Sequence, residues 1–293
     1  VVVVGDAGSG TLPTPVHESH IQNAMKNEWT RCNRVKRTFT ELGFAKGKLP
    51  RDVWASISTY NYNNKHNAAR EEWDHKGYFV NWWEVTPYLL GMPWGLKKYW
   101  QGRLMELVQK WIGGIPLELT DIYGIRRYED GARLLTHVDR EATHATSLII
   151  NVDQVEMRED WMVEIYDFAG RLHEISMEPG DIVYYESARC LHGRMKPLRG
   201  KSYSNLFAHY RPIGDPEWFL KPNPPDAPKQ LLETGDCEPI PNTRGGLRCE
   251  AGSLPFLSPA REIVQGSHDL FDYWKRTSPE AMPEQRKESH TEL

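Results

Sequence analysis

Residues 181–210 read DIVYYESARCLHGRMKPLRGKSYSNLFAHY. Two strand-like runs, DIVYYES (181–187) and SYSNLFAHY (202–210), flank a connection that carries a histidine, a glycine and several cations. Alternating β-branched and aromatic residues of this kind fit a pleated strand with a buried face. The same texture extends back to Pro116. LTDIYGIRRY (119–128), SLIINV (147–152), WMVEIYDF (161–168) and RLHEISM (171–177) are each short. Turns fall at Glu129-Asp130-Gly131, Ala169-Gly170 and Glu178-Pro179-Gly180. Many short strands at this spacing predict an antiparallel sandwich or barrel. Residues 119–212 are therefore expected to form a jelly roll, a cupin-like double-stranded β-helix, in an α+β chain that is mainly β.

Ahead of this core lies helical texture. Ile21, Met25, Trp29, Cys32, Val35, Phe39 and Leu42 recur at three- and four-residue intervals and stop at Gly43. A second such series, Leu96, Tyr99, Trp100, Leu104, Leu107, Val108 and Trp111, stops at Gly113-Gly114. Both predict amphipathic helices with glycine ends. The stretch 52–84 between them, with STYNYNN and FVNWWE, is aromatic and polar and carries no clear period. Residues 1–118 are thus expected to be a leader plus supporting helices, and 119–212 the core. Residues 213–293, rich in proline and glycine, are expected to wrap the surface, with a short helix starting at Ser258-Pro259 and a polar tail after Arg276. All three parts are expected to form one integrated domain. VVVVGDAGSG at the start has glycines after an apolar run but no G-K-[S/T], so it is not a phosphate loop.

The formal charge of −4 leaves no basic footprint for nucleic acid, and no apolar run approaches the ~18 residues that cross a bilayer. Cys32, Cys190, Cys237 and Cys249 are scattered and form no CxxC, which argues for thiols rather than a disulfide scaffold. A soluble intracellular protein is expected, with a targeting segment removed before Val1 equally compatible.

The chemistry sits in His137-Val138-Asp139 and, far downstream, His192-Gly193 with Lys201 beyond. Along a strand, alternation puts His137 and Asp139 on one face, and His192 is expected on a distant strand facing them across the barrel. Two imidazoles and a carboxylate on one side of an ion, with the other side open, is the ligand set of non-haem Fe(II) oxygenases. His144, His173 and His209 are expected to be surface or supporting residues. Lys201 heads a strand in which Tyr203, Asn205 and Phe207 share its face, so its cation would need an anionic partner inside a barrel.

With these pieces in place, residues 50–212 resemble the prolyl 4-hydroxylase-like branch of the Fe(II)/2-oxoglutarate oxygenases. The resemblance rests on Tyr128-x-x-Gly131, HVDR at 137–140, Pro179-Gly180-Asp181, and H-G-R through Gly200-Lys201. FVNWWE, YGIRRY (123–128), THAT (143–146) and YESARCLHGR (185–194) look closest to members common in algae and other marine microbes. It implies Fe(II) on His137, Asp139 and His192, and 2-oxoglutarate anchored by Lys201. Dioxygen is the oxidant, with ascorbate in support. In one respect the chain departs from the family. Leu134 and Leu135 stand where such enzymes usually carry a tyrosine for 2-oxoglutarate, so Tyr128 or Tyr203, with Asn205 beside them, would supply the contact.

The resemblance implies oxidation of an unactivated C–H bond. A small amino-acid-like substrate is favoured, hydroxylated or closed into a ring as in kainoid synthases, over a peptidyl proline. Arg126, Arg140 and Arg194 are the candidate substrate contacts, and Arg189 and Arg199 also fall near the site's expected mouth. A non-catalytic jelly-roll binding protein is the reading from a different class.

Overall fold

The computed structural model describes residues 15–72, 85–168, 170–230, 237–239, 246–249 and 262–265. Helix α1 spans Pro15–Arg34, strand β1 Phe44–Lys48, α2 Arg51–Asn64 and α3 Trp94–Trp111, with short strands β2 (Ala69–Arg70) and β3 (Tyr88–Leu90) before α3. Strands β4 (Leu117–Asp121), β5 (Ile125–Glu129), β6 (Leu134–His137) and β7 (Thr146–Val155) follow. Next come β8 (Val163–Tyr166), β9 (Arg171–Ile175), β10 (Asp181–Tyr185), β11 (His192–Arg194) and β12 (Ser202–Pro212).

From β5 to β12 the chain alternates between two antiparallel sheets. One contains the order β10-β7-β12-β5, the other β9-β8-β11-β6, and each step along the chain changes sheet except the β8–β9 hairpin within the second. This is the strand order of a double-stranded β-helix, as the sequence predicts. Ile149, Val183 and Tyr185 from the first sheet pack with Val163, Ile165 and Ile175 from the second. On its outer face the first sheet turns Leu148, Ile150, Ile182 and Leu206 against Val53 and Ile57 of α2 and Trp100, Leu104 and Val108 of α3. Ile21, Met25 and Cys32 of α1 cover Leu135, Leu172, Leu191 and Met195 outside the second. Period-two strands and period-3.6 helices thus meet along apolar faces.

Some expectations change. Helix α1 ends at Arg34, and Val35, Phe39 and Leu42 are buried in non-helical chain. That segment is tied down differently: the Phe39 and Thr40 amides and the Thr40 hydroxyl donate to the buried Glu186 carboxylate. The Thr38 amide donates to Asn223 Oδ1 at 2.7 Å. Periodic burial on one side, without a helix, explains the spacing. Helix α2 occupies part of the stretch whose sequence had no clear period. Helix α3 stops as expected, at Gly113 and Gly114 with φ of 79° and 86°. The downstream segment adds strands to the second sheet: β13 (Cys237–Pro239), β14 (Gly246–Cys249) and β15 (Glu262–Gln265) extend it beyond β9. Cys237 and Cys249 are register partners there, so they are not scattered in space. The leader, FVNWWE, Ser258-Pro259 and the tail after Arg276 lie outside the described residues. No helix among the described residues is long and apolar enough to cross a membrane.

Strand β11 lies between β6 and β8. It crosses β6 so closely that a Cβ at Gly193 would sit 2.9 Å from the Leu134 carbonyl oxygen and 3.0 Å from Thr136 backbone atoms. Gly193→Ala is expected to push the two strands apart at a cost of about 1–3 kcal/mol, typical of overpacking. Urea denaturation of the variant should show a lower midpoint.

Candidate metal centre

His137 is the last residue of β6 and His192 the first of β11, and the two are register partners in the same sheet. The sequence-based picture of His192 facing the pair from across the barrel is thus corrected: it is a next-door neighbour, with ring centroids 4.5 Å apart. Asp139 lies just past the end of β6. Its backbone amide donates to the Ser187 carbonyl at 2.9 Å, which turns the chain toward the two imidazoles. One ligand atom from each of His137, Asp139 and His192 falls within 4.8 Å of the others.

Each imidazole has a fixed orientation. His137 Nδ1 lies 2.6 Å from the Leu135 carbonyl oxygen, and His192 Nδ1 lies 2.9 Å from that of Cys190. A carbonyl only accepts, so each Nδ1 carries the hydrogen and each Nε2 presents a lone pair. The Nε2 atoms lie 3.8 and 3.9 Å from Asp139 Oδ1, too long for hydrogen bonds but suited to an ion drawn in between. The Tyr185 hydroxyl donates to Asp139 Oδ2 at 3.4 Å, and its ring packs edge-on against His192.

Burial lowers His137 to about 4, with His192 adding to the effect, and also lowers His192 and His209. For Asp139, burial pushes upward, but the imidazoles of His192, His209, His144 and His137 outweigh it and hold the carboxyl well below its ordinary range. Neutral imidazoles around an ionised carboxylate are the protonation states that metal binding requires.

Helix α1 braces the ligand loop. Glu28 accepts the Val138 amide at 3.0 Å, and Arg31, paired with Glu28, donates to the Asp139 carbonyl at 2.8 Å. His209 and His144 stack with centroids 3.8 Å apart beside Asp139, and Ser147 bridges His209 to Ser187. Both histidines are supporting residues, as expected. His173, buried and paired with Asp167 at 2.8 Å, belongs to the β9 packing instead.

The triad lines a cavity of about 110 Å³ together with Arg126, Arg194, Tyr123, His144, His209 and Phe207. Arg126 is buried and held bidentately by Glu71 at 2.5 and 2.6 Å. Tyr128, Tyr203 and Asn205 are buried on the strands behind this cavity. Arg140 and Arg199 are exposed, and Arg189 is partly buried against Phe168, away from the cavity wall.

Lys201 is the main departure. It precedes β12 on the outside, with its side chain 66% exposed and its ammonium 3.1 Å from Glu156. It lines a different recess, with Lys65, Arg127 and Asp153. Its amide is bonded to the Val155 carbonyl at the sheet's end, where solvent meets the charge, so Lys201 does not reach the triad cavity. The Pro179-Gly180-Asp181 motif is likewise structural: Asp181 caps its own turn at Glu178 and pairs with Lys46 and Lys48.

No protein-family model and no curated protein match this chain. Solved structures do match. A prolyl-4-hydroxylase from Pseudomonas putida is 14% identical, with a TM-score of 0.45 over 65% of this chain and 100% of that one. A prolyl hydroxylase from Trichoplax adhaerens, in complex with a hypoxia inducible factor peptide fragment, is 10% identical, with a TM-score of 0.43 over 70% and 96%. HygX from Streptomyces hygroscopicus, bound to nickel, 2-oxoglutarate and hygromycin B, is 14% identical, with a TM-score of 0.44 over 59% and 84%.

Two outcomes follow from the site's geometry. Glu28→Ala removes the acceptor for the Val138 amide and is expected to weaken Co(II) binding roughly 10- to 100-fold, read by metal titration. The metal-free protein should also lose stability in mild acid. Unfolded His137 takes its proton near the ordinary histidine value of 6.5, whereas the folded residue resists until about 4. Stability is therefore complete above that upper value and falls as pH drops toward the lower one. Urea midpoints of chelator-treated protein that stay flat across this window would contradict the assignment.

Proposed function

We propose that this chain is a non-haem Fe(II)- and 2-oxoglutarate-dependent oxygenase that oxidises an unactivated C–H bond of a small amino-acid-like substrate. The observation that carries the reading is the triad itself. Two Nε2 lone pairs and one ionised carboxylate point at a common place, in a cavity beside basic side chains. His137, Asp139 and His192 would hold Fe(II), leaving its other positions to the co-substrate and dioxygen. When bound, Fe(II) would activate dioxygen, the oxidant, and 2-oxoglutarate would be oxidised alongside the substrate, leaving as succinate and carbon dioxide.

The protein's own part is positioning and exclusion of water. Leu134, Ile149, Val163 and Phe207 give the cavity an apolar wall. The Tyr185 hydroxyl and the His137 and His192 carbonyl contacts keep the ligand atoms from rotating away. Arg126, with its charge balanced by Glu71, brings a fixed guanidinium to the wall that suits a polar, amino-acid-like substrate. The product is an alcohol or, as in kainoid synthases, a ring closed with loss of two hydrogens.

The test is aerobic turnover with Fe(II), ascorbate and 2-oxoglutarate on free proline, proline-rich peptides and N-alkylated glutamates, read by mass spectrometry. His137→Ala and Asp139→Ala are each expected to abolish substrate-coupled succinate formation. An undiminished rate in both would remove the assignment of the triad, whereas no turnover in the wild type would leave a jelly-roll binding protein as the better reading. Oxygen added only to a peptide would identify a peptidyl prolyl hydroxylase.

A further inference from the structure

The second buried cation of the triad cavity, Arg194, is held unlike Arg126. It follows His192 by one strand alternation on β11, so both side chains point inward, and the residue is 4% exposed. One guanidinium nitrogen donates to the Trp161 carbonyl. The group lies 4.4 Å from the Trp161 ring centroid and 4.6 Å from that of Tyr203, in the corner that these two rings form. Its Nη2 has no hydrogen-bond partner, and among the described residues no carboxylate forms an ion pair with it. Arg126, by contrast, already has Glu71.

Near Arg194 two other buried polar atoms lack a bonded partner, the Tyr128 and Tyr203 hydroxyls. The rings of Tyr128 and Tyr203 each pack on Trp161, with centroids 5.1 and 5.3 Å from it. The two hydroxyls lie close to guanidinium groups, Tyr128 to that of Arg126 and Tyr203 to that of Arg194. A buried cation without an anionic partner is costly in a folded protein, and a negatively charged oxygen would accept from the guanidinium and from both hydroxyls. Planar carboxylates match a guanidinium's paired donors.

We propose that Arg194, with the Tyr128 and Tyr203 hydroxyls, seats the carboxylate of 2-oxoglutarate that is remote from its 2-oxo group, the task the sequence suggested for Lys201. This rests on the oxygenase reading and assigns the co-substrate's second anchor. Arg126 with Glu71 is then left to the substrate side.

The test is calorimetric titration of 2-oxoglutarate, and separately of 2-oxobutyrate, into anaerobic Fe(II)-loaded protein. The shorter acid keeps the 2-oxo acid group and lacks the remote carboxylate. Arg194→Gln is expected to weaken 2-oxoglutarate roughly 30-fold or more while 2-oxobutyrate binding stays as in the wild type. Tyr203→Phe should weaken 2-oxoglutarate alone by about 3- to 10-fold. Lys201→Gln, on the exposed surface, should leave both acids unchanged. A loss of 2-oxoglutarate affinity in Lys201→Gln overturns the proposal even if the Arg194 variant fails to fold, and so does unchanged affinity in a folded Arg194→Gln. Failure of the oxygenase reading looks different: wild-type protein would then bind neither acid in the presence of the metal.

Discussion

Pairing of β11 with β6 is the contact on which the site depends. It sets His192 directly beside His137, and each imidazole is aimed by a carbonyl two residues before it in its own chain. Neither strand is long enough to hold that register alone, since β6 has four residues and β11 three. The neighbours supply what is missing. β8 pairs with the free edge of β11, and the Tyr166 amide donates to the Leu191 carbonyl just ahead of it. From outside, α1 packs Ile21, Met25 and Cys32 onto Leu135, Leu191 and Met195. Its Glu28 and Arg31 then hold the turn that carries Asp139. Burial of the helix stripe therefore stabilises the fold and fixes the third ligand at once.

The two faces of the larger sheet divide the work. Leu148, Ile150 and Leu206 point outward into the helical layer, where dispersion and apolar burial suffice. The inner side carries Ser147, Asn151, Asn205 and His209, all nearly inaccessible to solvent. A strand interior with so many polar groups stabilises the protein poorly unless each group finds a partner. Most do: Ser147 bonds to His209 and Ser187, and Asn151 to the Ser204 carbonyl. Among the groups left over are Arg194 Nη2 and the Tyr203 hydroxyl beside it, where a ligand would complete the network.

Period-two alternation made six of the eight core strands readable, because one face of each had to be apolar, while β6 and β11, with four and three residues, are too short to show a period. The ligand residues were readable for a related reason, since few patterns place two histidines and an aspartate around short strands with a glycine between. Which strands are neighbours was not readable. His192 could sit beside or opposite His137 at the same sequence separation, and only the β6–β11 register decides. Val35, Phe39 and Leu42 misled by extending a helical period into chain whose amides bond to Glu186 instead. Helix α2 was obscure because STYNYNN is a weak helix former held by burial of Val53 and Ile57 against the sheet.

Lys201 and Arg194 show where spacing stops being informative. Both are cations downstream of His192, and distance along the chain favours neither. What separates them is the kind of charge that a jelly-roll interior tolerates. Lysine is a compact, strongly hydrated point charge on a flexible stem, and at the mouth of β12 it finds water and Glu156. Arginine is planar and more weakly hydrated, so it can rest in the corner between the Trp161 and Tyr203 rings and still offer donors edgewise. Gly193 lets β11 approach β6 closely beside it, and Trp161 fixes the guanidinium from β8's side of the sheet. The positive charge inside this barrel is thus assigned by aromatic surface and strand proximity, both of which belong to the folded chain and to no single motif.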